Sequence, residues 1–220
     1  NKLGIFNGTV IYGEHGREIF KKAYGYADFK NKEPLTTSSS FQLASVSKMF
    51  TATAIMILKE RGKLNYDDSI TTYIPEFPFI KVTIRHLLNH RSGLSNYMYL
   101  ADQKWNVEKS IDNEEVIDLF TIHKPECYFQ PDKGFQYNNT NYALLASVVE
   151  RISGDPFDRF VKENIFDPLE MDHSFVYCLN IDSLVGGEVP EGVPGYQTRS
   201  GRYVKLENNY LNGVVGDKGV

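Results

Sequence analysis

The sequence predicts an α+β fold, in which a front β-hairpin leads into a mainly helical region. Two stretches rich in β-branched and aromatic residues, 8–12 and 18–24, flank a polar turn and predict antiparallel strands. Residues 49–58 form a ten-residue apolar run that ends near Gly62, which predicts a core helix with a glycine stop. Residues 141–152 repeat apolar side chains at helical spacing, so a second long helix is expected there.

The remaining elements are shorter. Residues 83–89 predict a short helix with Thr83 as its cap, and residues 113–120 predict another. Residues 156–164 follow as a helix with proline at its first position. The chain becomes rich in glycine and proline from about residue 185, with a short strand expected at 202–206.

Composition excludes several classes of function. The 220 residues can form one sizeable domain, and 41% hydrophobic with 13% aromatic content is typical of a globular protein. The formal net charge of −4 gives no basic surplus, so no nucleic-acid partner is predicted. The longest apolar run is too short for a transmembrane segment. Cys127 and Cys178 could form a disulfide or stay thiols, and neither has the neighbours of a metal site.

Ser45-Val46-Ser47-Lys48 is the first candidate catalytic motif, at the head of the apolar helix. Residues three apart share a helix face, so the Ser45 hydroxyl and the Lys48 amine can meet. A lysine entering a core is costly as an unpaired ammonium, and a neutral amine can take a proton from serine. The motif alone is weak, because a serine cap followed by a lysine that reaches solvent has the same sequence.

A second candidate group is Tyr137 with Asn139, just before the long amphipathic helix. Side chains two apart on an extended loop point the same way. Tyrosine can shuttle a proton, and asparagine can both donate to and accept from an amide or ester. The same pattern recurs at Tyr210 and Asn212, so the local sequence does not choose between the two pairs.

Other polar groups favour structural roles. His86 and His90 are four residues apart, but no glutamate follows His86 as in the zinc-protease pattern, and no third ligand is apparent. We therefore interpret both as structural histidines. Asp67 and Asp68 are interpreted as helix or turn caps rather than a catalytic pair.

Four phrases in order resemble the serine β-lactamase and penicillin-binding family, in its class C-like branch with esterases and D-amino-acid peptidases. They are FQLASVSK at residues 41–48, TIRHLLNHRSGL at 83–94, FQYNN followed by YALL within 135–145, and NIFDPLEM at 164–171. Glu170 stands where that family usually has glycine. The resemblance extends from about residue 8 to about residue 177 and is thinner after that. Four ordered phrases are far more specific than either short motif.

The resemblance implies a serine hydrolase. It assigns Ser45 as the acylated nucleophile, Lys48 as its activating neighbour, Tyr137 as the partner base or acid, and Asn139 as a substrate-positioning amide. Whether lysine or tyrosine is the base stays open. The implied substrate is an ester, a D-amino-acid peptide or a β-lactam amide, with no cofactor. The alternatives are a non-catalytic penicillin-recognising module and, less favoured, a helical interaction domain with chance motifs.

The resemblance also implies a β-lactamase/transpeptidase-like α+β fold, an antiparallel sheet flanked by helices plus a mainly helical region. Residues 1–220 are expected to be the front portion of one such domain. Its parts would be a hairpin and nucleophile helix at 1–62, a mainly helical region at 63–177, and a loop-rich segment at 178–220. The third motif of the family, Lys-Thr-Gly or His-x-Gly, is not found in this sequence. We therefore expect a C-terminally truncated, nearly inactive catalytic unit. The family resemblance separately implies a periplasmic or extracellular location.

Overall fold

A computed structural model describes residues 6–178, 192–206 and 210–219. The chain divides into two compact units. The first comprises Asn1–Gln42 and Gly186–Asn208, and the second comprises Leu43–Val185 and Asn209–Val220. The three-part division at residues 62 and 177 stays a prediction.

In the described residues of the first unit, the strands form three antiparallel pairs. Its strands are β1 (Gly8–Glu14), β2 (Arg17–Tyr24), β3 (Tyr26–Asp28), β4 (Glu33–Pro34), β5 (Tyr196–Arg199) and β6 (Arg202–Lys205). His15 and Gly16 connect β1 to β2 with positive φ angles of 50° and 72°, which is the conformation that a two-residue hairpin turn requires. The predicted hairpin and the predicted strand near residue 202 are therefore confirmed.

Aromatic side chains join the two chain segments of this unit. The Phe29 ring stacks on Tyr203 at a centroid distance of 3.9 Å and meets Tyr196 edge-on at 5.0 Å. Strands β5 and β6 thus pack against the loop that follows β3. Among the described residues, β1 and β2 pair with each other and with no third strand.

The second unit is helical and is organised around one helix. Its α-helices are α1 (Lys48–Glu60), α2 (Ile84–Leu88), α3 (Tyr97–Lys104), α4 (Asn113–His123), α5 (Asn139–Ser153) and α6 (Phe157–Val161). Short 3-10 turns lie at Ala44–Ser47, Ile70–Thr72, Asp167–Leu169 and Tyr210–Gly213, and a π-helical turn lies at Lys162–Phe166. Residues 140–149 of α5 are all buried, and the other five α-helices pack around it.

Local capping explains most helix boundaries. The Thr83 hydroxyl accepts from the His86 N–H while His86 Nδ1 accepts from the Thr83 N–H, so α2 begins with a reciprocal cap. The α5 helix ends at Gly154, whose φ of 77° is the left-handed conformation that glycine adopts without strain. Pro156 is the cap of α6 rather than its first helical residue, one position from the prediction.

Helix α1 is less buried than its sequence predicts. Its buried side chains form one stripe, which includes Lys48, Thr51, Ile55 and Leu58. Met49 on the other side is 62% exposed. The core helix that the sequence predicts is therefore buried along one face, because α1 contacts α5 and α6 along that face and keeps apolar side chains on the other.

Two further features were not recognised from sequence. Helix α3 lacks a clear apolar period, and Asn96 caps it by accepting from the Met98 N–H. Glu170 has a φ of 54°, a left-handed conformation in which glycine is favoured. This backbone geometry gives a physical reason for the glycine that the resembling family carries at this position.

The described helices include none long and apolar enough to cross a membrane.

Cys127 is a free thiol whose pKa is raised by burial. The Cys178 Sγ donates to the Gly213 carbonyl at 3.0 Å.

Candidate active site

Ser45 lies in a strained turn directly before α1. The 3-10 turn Ala44–Ser47 continues into the α-helix at Lys48. Ala44 has a φ of 47°, which is uncommon for a residue with a Cβ and costs free energy. The turn is closed by a hydrogen bond from the Val46 N–H to the Leu43 carbonyl at 3.0 Å. This geometry exposes the Ser45 side chain while the helix behind it enters the core.

Lys48 is the centre of the candidate site. Its side chain points inward and is 7% exposed, so the alternative of a lysine that reaches solvent does not describe it. The Nζ atom donates to Ser45 Oγ at 3.2 Å, to Asn139 Oδ1 at 2.9 Å and to the Asp217 carbonyl at 2.7 Å. An ammonium has three N–H donors, and here each has an acceptor.

Asn139 reaches Lys48 because α5 begins at this residue. The Asn138 side chain caps the helix by accepting from the Thr140 N–H. Asn139 is thus the first helical residue rather than part of an extended loop, and its Nδ2 donates to Met98 Sδ at 3.1 Å. This contact leaves the amide oxygen directed at Lys48.

Tyr137 lies at the same site through its ring. The ring centroid is 5.0 Å from Lys48 Nζ, and the side chain is 50% exposed. Among the described residues, no hydrogen bond joins its hydroxyl to Ser45 or Lys48. Tyr210 belongs to the other candidate pair, and its hydroxyl donates to Asp102 instead.

The turn at residues 216–217 completes the surroundings of Lys48 and was missed by sequence analysis. The buried Thr51 hydroxyl donates to the Gly216 carbonyl at 2.7 Å. Gly216 has a φ of 93°, and a Cβ there would lie 2.5 Å from the Ala146 Cβ. Glycine is therefore required for this turn to approach α5 and present the next carbonyl to Lys48.

Asp217 carries a carboxylate that is 1% exposed. The Tyr97 hydroxyl donates to Oδ2 at 3.0 Å, and Lys218 Nζ lies 3.4 Å from Oδ1. Lys218 also donates to the Tyr97 hydroxyl at 2.8 Å. Burial raises the pKa of the Asp217 carboxyl, and the positive charges of Lys218 and Lys48 oppose that rise. The sequence offered no local signal for this cluster, since Tyr97 lies 120 residues from Asp217 in the chain.

His90 contacts the loop that carries Tyr137. Its Nδ1 accepts from the Asn138 N–H at 3.1 Å, and its ring centroid lies 4.6 Å from that of Tyr137. Burial, and secondarily the nearby Lys48 charge, lower the pKa of His90 to about 4. The imidazole is therefore neutral at physiological pH. His86 has a different role, as the cap partner of Thr83.

The family described as Beta-lactamase matches residues 2–202. The chain belongs to the β-lactamase family. Penicillin-binding protein 4* of Bacillus subtilis (strain 168) is 40% identical over 224 aligned residues, covering 96% of this chain and 48% of that protein. Teichoic acid D-alanine hydrolase of Staphylococcus aureus (strain MRSA252) is 32% identical over 174 residues, covering 79% of this chain and 42% of that protein.

The fold agrees with the family. A penicillin-binding protein from Bacillus halodurans superposes with a TM-score of 0.81 at 30% identity, over 99% of this chain and 66% of that one. The predicted β-lactamase/transpeptidase-like α+β fold is therefore confirmed. The chain spans about half the length of the curated relatives above.

Proposed function

We propose that this chain carries the nucleophile of a serine hydrolase, which forms an acyl-enzyme at Ser45. The contact that carries the proposal is the one between Lys48 Nζ and Ser45 Oγ, at 3.2 Å in a mostly buried setting. A lysine is kept out of water here at considerable desolvation cost, and three acceptors from separate segments offset that cost. Such an arrangement is better explained by serine activation than by helix capping, since Ser45 is the N-cap residue of neither the 3-10 turn nor α1.

In the proposed reaction, Ser45 Oγ attacks the substrate carbonyl carbon and forms a C–O bond. The Ser45 proton passes to Lys48 in its neutral amine form or to Tyr137 in its phenolate form, and from there to the leaving group as its bond to the carbonyl carbon breaks. Water then hydrolyses the acyl ester and regenerates Ser45. The Ser45 N–H lies in the first turn of the helical segment, where backbone N–H groups have no intrahelical acceptor. It can therefore donate a hydrogen bond to the developing oxyanion.

Asn139 takes the substrate-positioning role in this proposal. Its Oδ1 accepts from Lys48, and its Nδ2 contacts a thioether, which is a weak acceptor. Substrate binding can therefore redirect the Nδ2 donor toward an amide or ester oxygen at little cost. This is the role that the sequence predicts for the residue.

The proposed substrates are esters, D-amino-acid peptides or β-lactam amides. The support is that one relative is a penicillin-binding protein and another a teichoic acid D-alanine hydrolase. All three substrate classes present a carbonyl to the same nucleophile. Because these relatives' names refer to cell-wall chemistry, we also propose that the protein acts outside the cytoplasm.

A non-catalytic penicillin-recognising module is the second candidate. The observation that favours it is the absence of a direct hydrogen bond from the Tyr137 hydroxyl to Ser45 or Lys48 in the described part of the chain. A module of this kind would bind or be acylated by penicillin without turning it over.

Labelling of the full-length protein tests both candidates. A fluorophosphonate probe and a fluorescent penicillin should label the wild type, and Ser45→Ala should remove all label. Tyr137→Phe should slow acylation by roughly 10²–10⁴-fold, the usual contribution of a general acid or base. Tyr12→Phe, on the exposed hairpin, is the control and should label at the wild-type rate.

Turnover of a chromogenic D-alanyl ester separates the enzyme from the binding module. The hydrolase should show repeated turnover, whereas the module should stop after one equivalent of acylation. Equal labelling of the wild type and Ser45→Ala would refute the assignment of the nucleophile.

A further inference from the structure

His90 joins the end of α2 to the segment that carries two of the proposed site residues. Its Nδ1 accepts from the Asn138 N–H at 3.1 Å, and Asn138 lies between Tyr137 and Asn139. Its carbonyl accepts from the Gln136 N–H at 3.0 Å. The segment is therefore fixed to one residue by hydrogen bonds on both sides of Tyr137.

The His90 ring also fixes the aromatic wall beside Lys48. It lies 4.6 Å from the Tyr137 ring and 5.1 Å from the Tyr142 ring, measured between centroids. Lys48 Nζ lies 5.0 Å and 5.7 Å from the same two rings. The two tyrosine rings thus lie within reach of both the imidazole and the ammonium.

The hydrogen bond to Asn138 sets the chemical form of His90. A backbone N–H can only donate, so Nδ1 must carry a lone pair and the ring proton must be on Nε2. The Asn141 amide nitrogen lies 3.1 Å from the same Nδ1 and can also donate to it. Protonation of Nδ1 would place an N–H against two donors.

Resting on the function proposed above, we propose that His90 is a positioning residue. Its unprotonated Nδ1 holds the Asn138 backbone so that Tyr137 and Asn139 face Lys48. His90 does not contact Ser45 or the reacting atoms. Its effect is on the placement of the groups that do, and a displacement of about 1 Å at such a group can cost about 10²-fold in rate.

Three substitutions test the hydrogen-bond acceptor of His90 separately from its ring and its backbone conformation. His90→Asn places Oδ1 near the position of Nδ1 and suits the φ of 55° at this residue. His90→Phe keeps a ring but has no acceptor. His90→Gly suits the backbone conformation but has neither ring nor acceptor. The matched control is His86→Phe, on the helix that precedes His90, where Nδ1 accepts from the Thr83 N–H and contacts no site residue.

The experiment measures acylation of the full-length protein by a fluorophosphonate probe, together with amide hydrogen exchange over residues 136–139. His90→Phe and His90→Gly should both lose exchange protection and acylate about 10–10²-fold more slowly. His90→Asn should keep protection and acylate near the wild-type rate, and His86→Phe should change neither. Nitrogen-15 spectra of the wild type should show the Nε2–H tautomer.

The proposal is overturned if His90→Asn is as slow as the other two, or if His90→Phe acylates at the wild-type rate. A Nδ1–H tautomer or unchanged exchange in His90→Phe would also overturn it. If wild-type Ser45 is not acylated at all, the proposed hydrolase function fails. The exchange and tautomer measurements then still decide whether His90 holds the Asn138 backbone.

Discussion

Replacing Lys218 by methionine should destabilise the second unit by disturbing the carboxylate beneath Lys48. Asp217 is 1% exposed, and its oxygens are contacted by Tyr97 and Lys218. Removing one partner of a buried ion pair typically costs about 3–5 kcal/mol. The Lys218 side chain is 25% exposed, and Asp217 can take up a proton, so we expect about 3 kcal/mol, the lower end of that range.

The loss has a defined pH dependence. Burial raises the pKa of the Asp217 carboxyl, while the Lys218 charge opposes that rise. Lys218→Met therefore raises the carboxyl pKa further. A carboxyl with a raised folded pKa favours folding below its unfolded pKa and loses that contribution as the pH rises through its folded pKa. The penalty of Lys218→Met should thus be larger at pH 8 than at pH 5.

Urea and thermal unfolding at both pH values measure the effect. About 3 kcal/mol corresponds to a fall in Tm of about 6–12 °C for a domain of this size. The matched control is Lys162→Met, which removes a pair to Asp167 in which both side chains are almost half exposed. An exposed pair contributes at most about 1 kcal/mol.

The double variant Asp217→Asn with Lys218→Met should recover most of the lost stability, because no buried charge is left without a partner. Acylation of Ser45 should fall in Lys218→Met, since the Asp217 carbonyl is an acceptor for Lys48, and should stay unchanged in Lys162→Met. The reasoning is refuted if Lys218→Met loses no more stability than Lys162→Met, or loses the same amount at both pH values.

Two further predictions concern single residues. Asn139→Leu removes one of the three acceptors of Lys48, and a hydrogen bond to a charged group is worth about 1.5–3 kcal/mol, so probe acylation should fall by about 10–10²-fold. Burial raises the pKa of the Glu150 carboxyl to about 7. The protonated carboxyl therefore favours folding at low pH, and this contribution to stability is lost as the pH rises through about 7. Glu150→Gln keeps an acceptor for the Phe157 N–H and should stabilise the protein at pH 8 by about 2 kcal/mol, with a smaller gain at pH 5, by urea unfolding.

Local signals were sufficient for most of the secondary structure. The turn at His15 and Gly16, the Thr83 cap and the glycine end at Gly154 are each decided by a few neighbouring residues. Sequence reasoning failed for α3, which lacks an apolar period, and for the exposed face of α1. In both cases the burial of a helix face depends on which elements pack against it, and composition does not specify that.

The candidate site could be predicted only in part, for a similar reason. Ser45 and Lys48 are three residues apart, so helix geometry alone predicts their contact. Asn139 is 91 residues from Lys48 and was selected by family resemblance. Asp217 is 169 residues from Lys48 and contributes a backbone carbonyl, which any residue type could supply. The residue type at position 217 therefore does not reveal this backbone contact.

The three acceptors of Lys48 also link stability to activity. They come from the turn before α1, from the start of α5 and from the turn at residues 216–217. Each segment is placed by its own packing, and the desolvation cost of the ammonium is offset only when all three are docked. A substitution that loosens any one segment therefore weakens the site before it unfolds the helices. For this reason, variants such as Lys218→Met should lose acylation at temperatures well below their Tm.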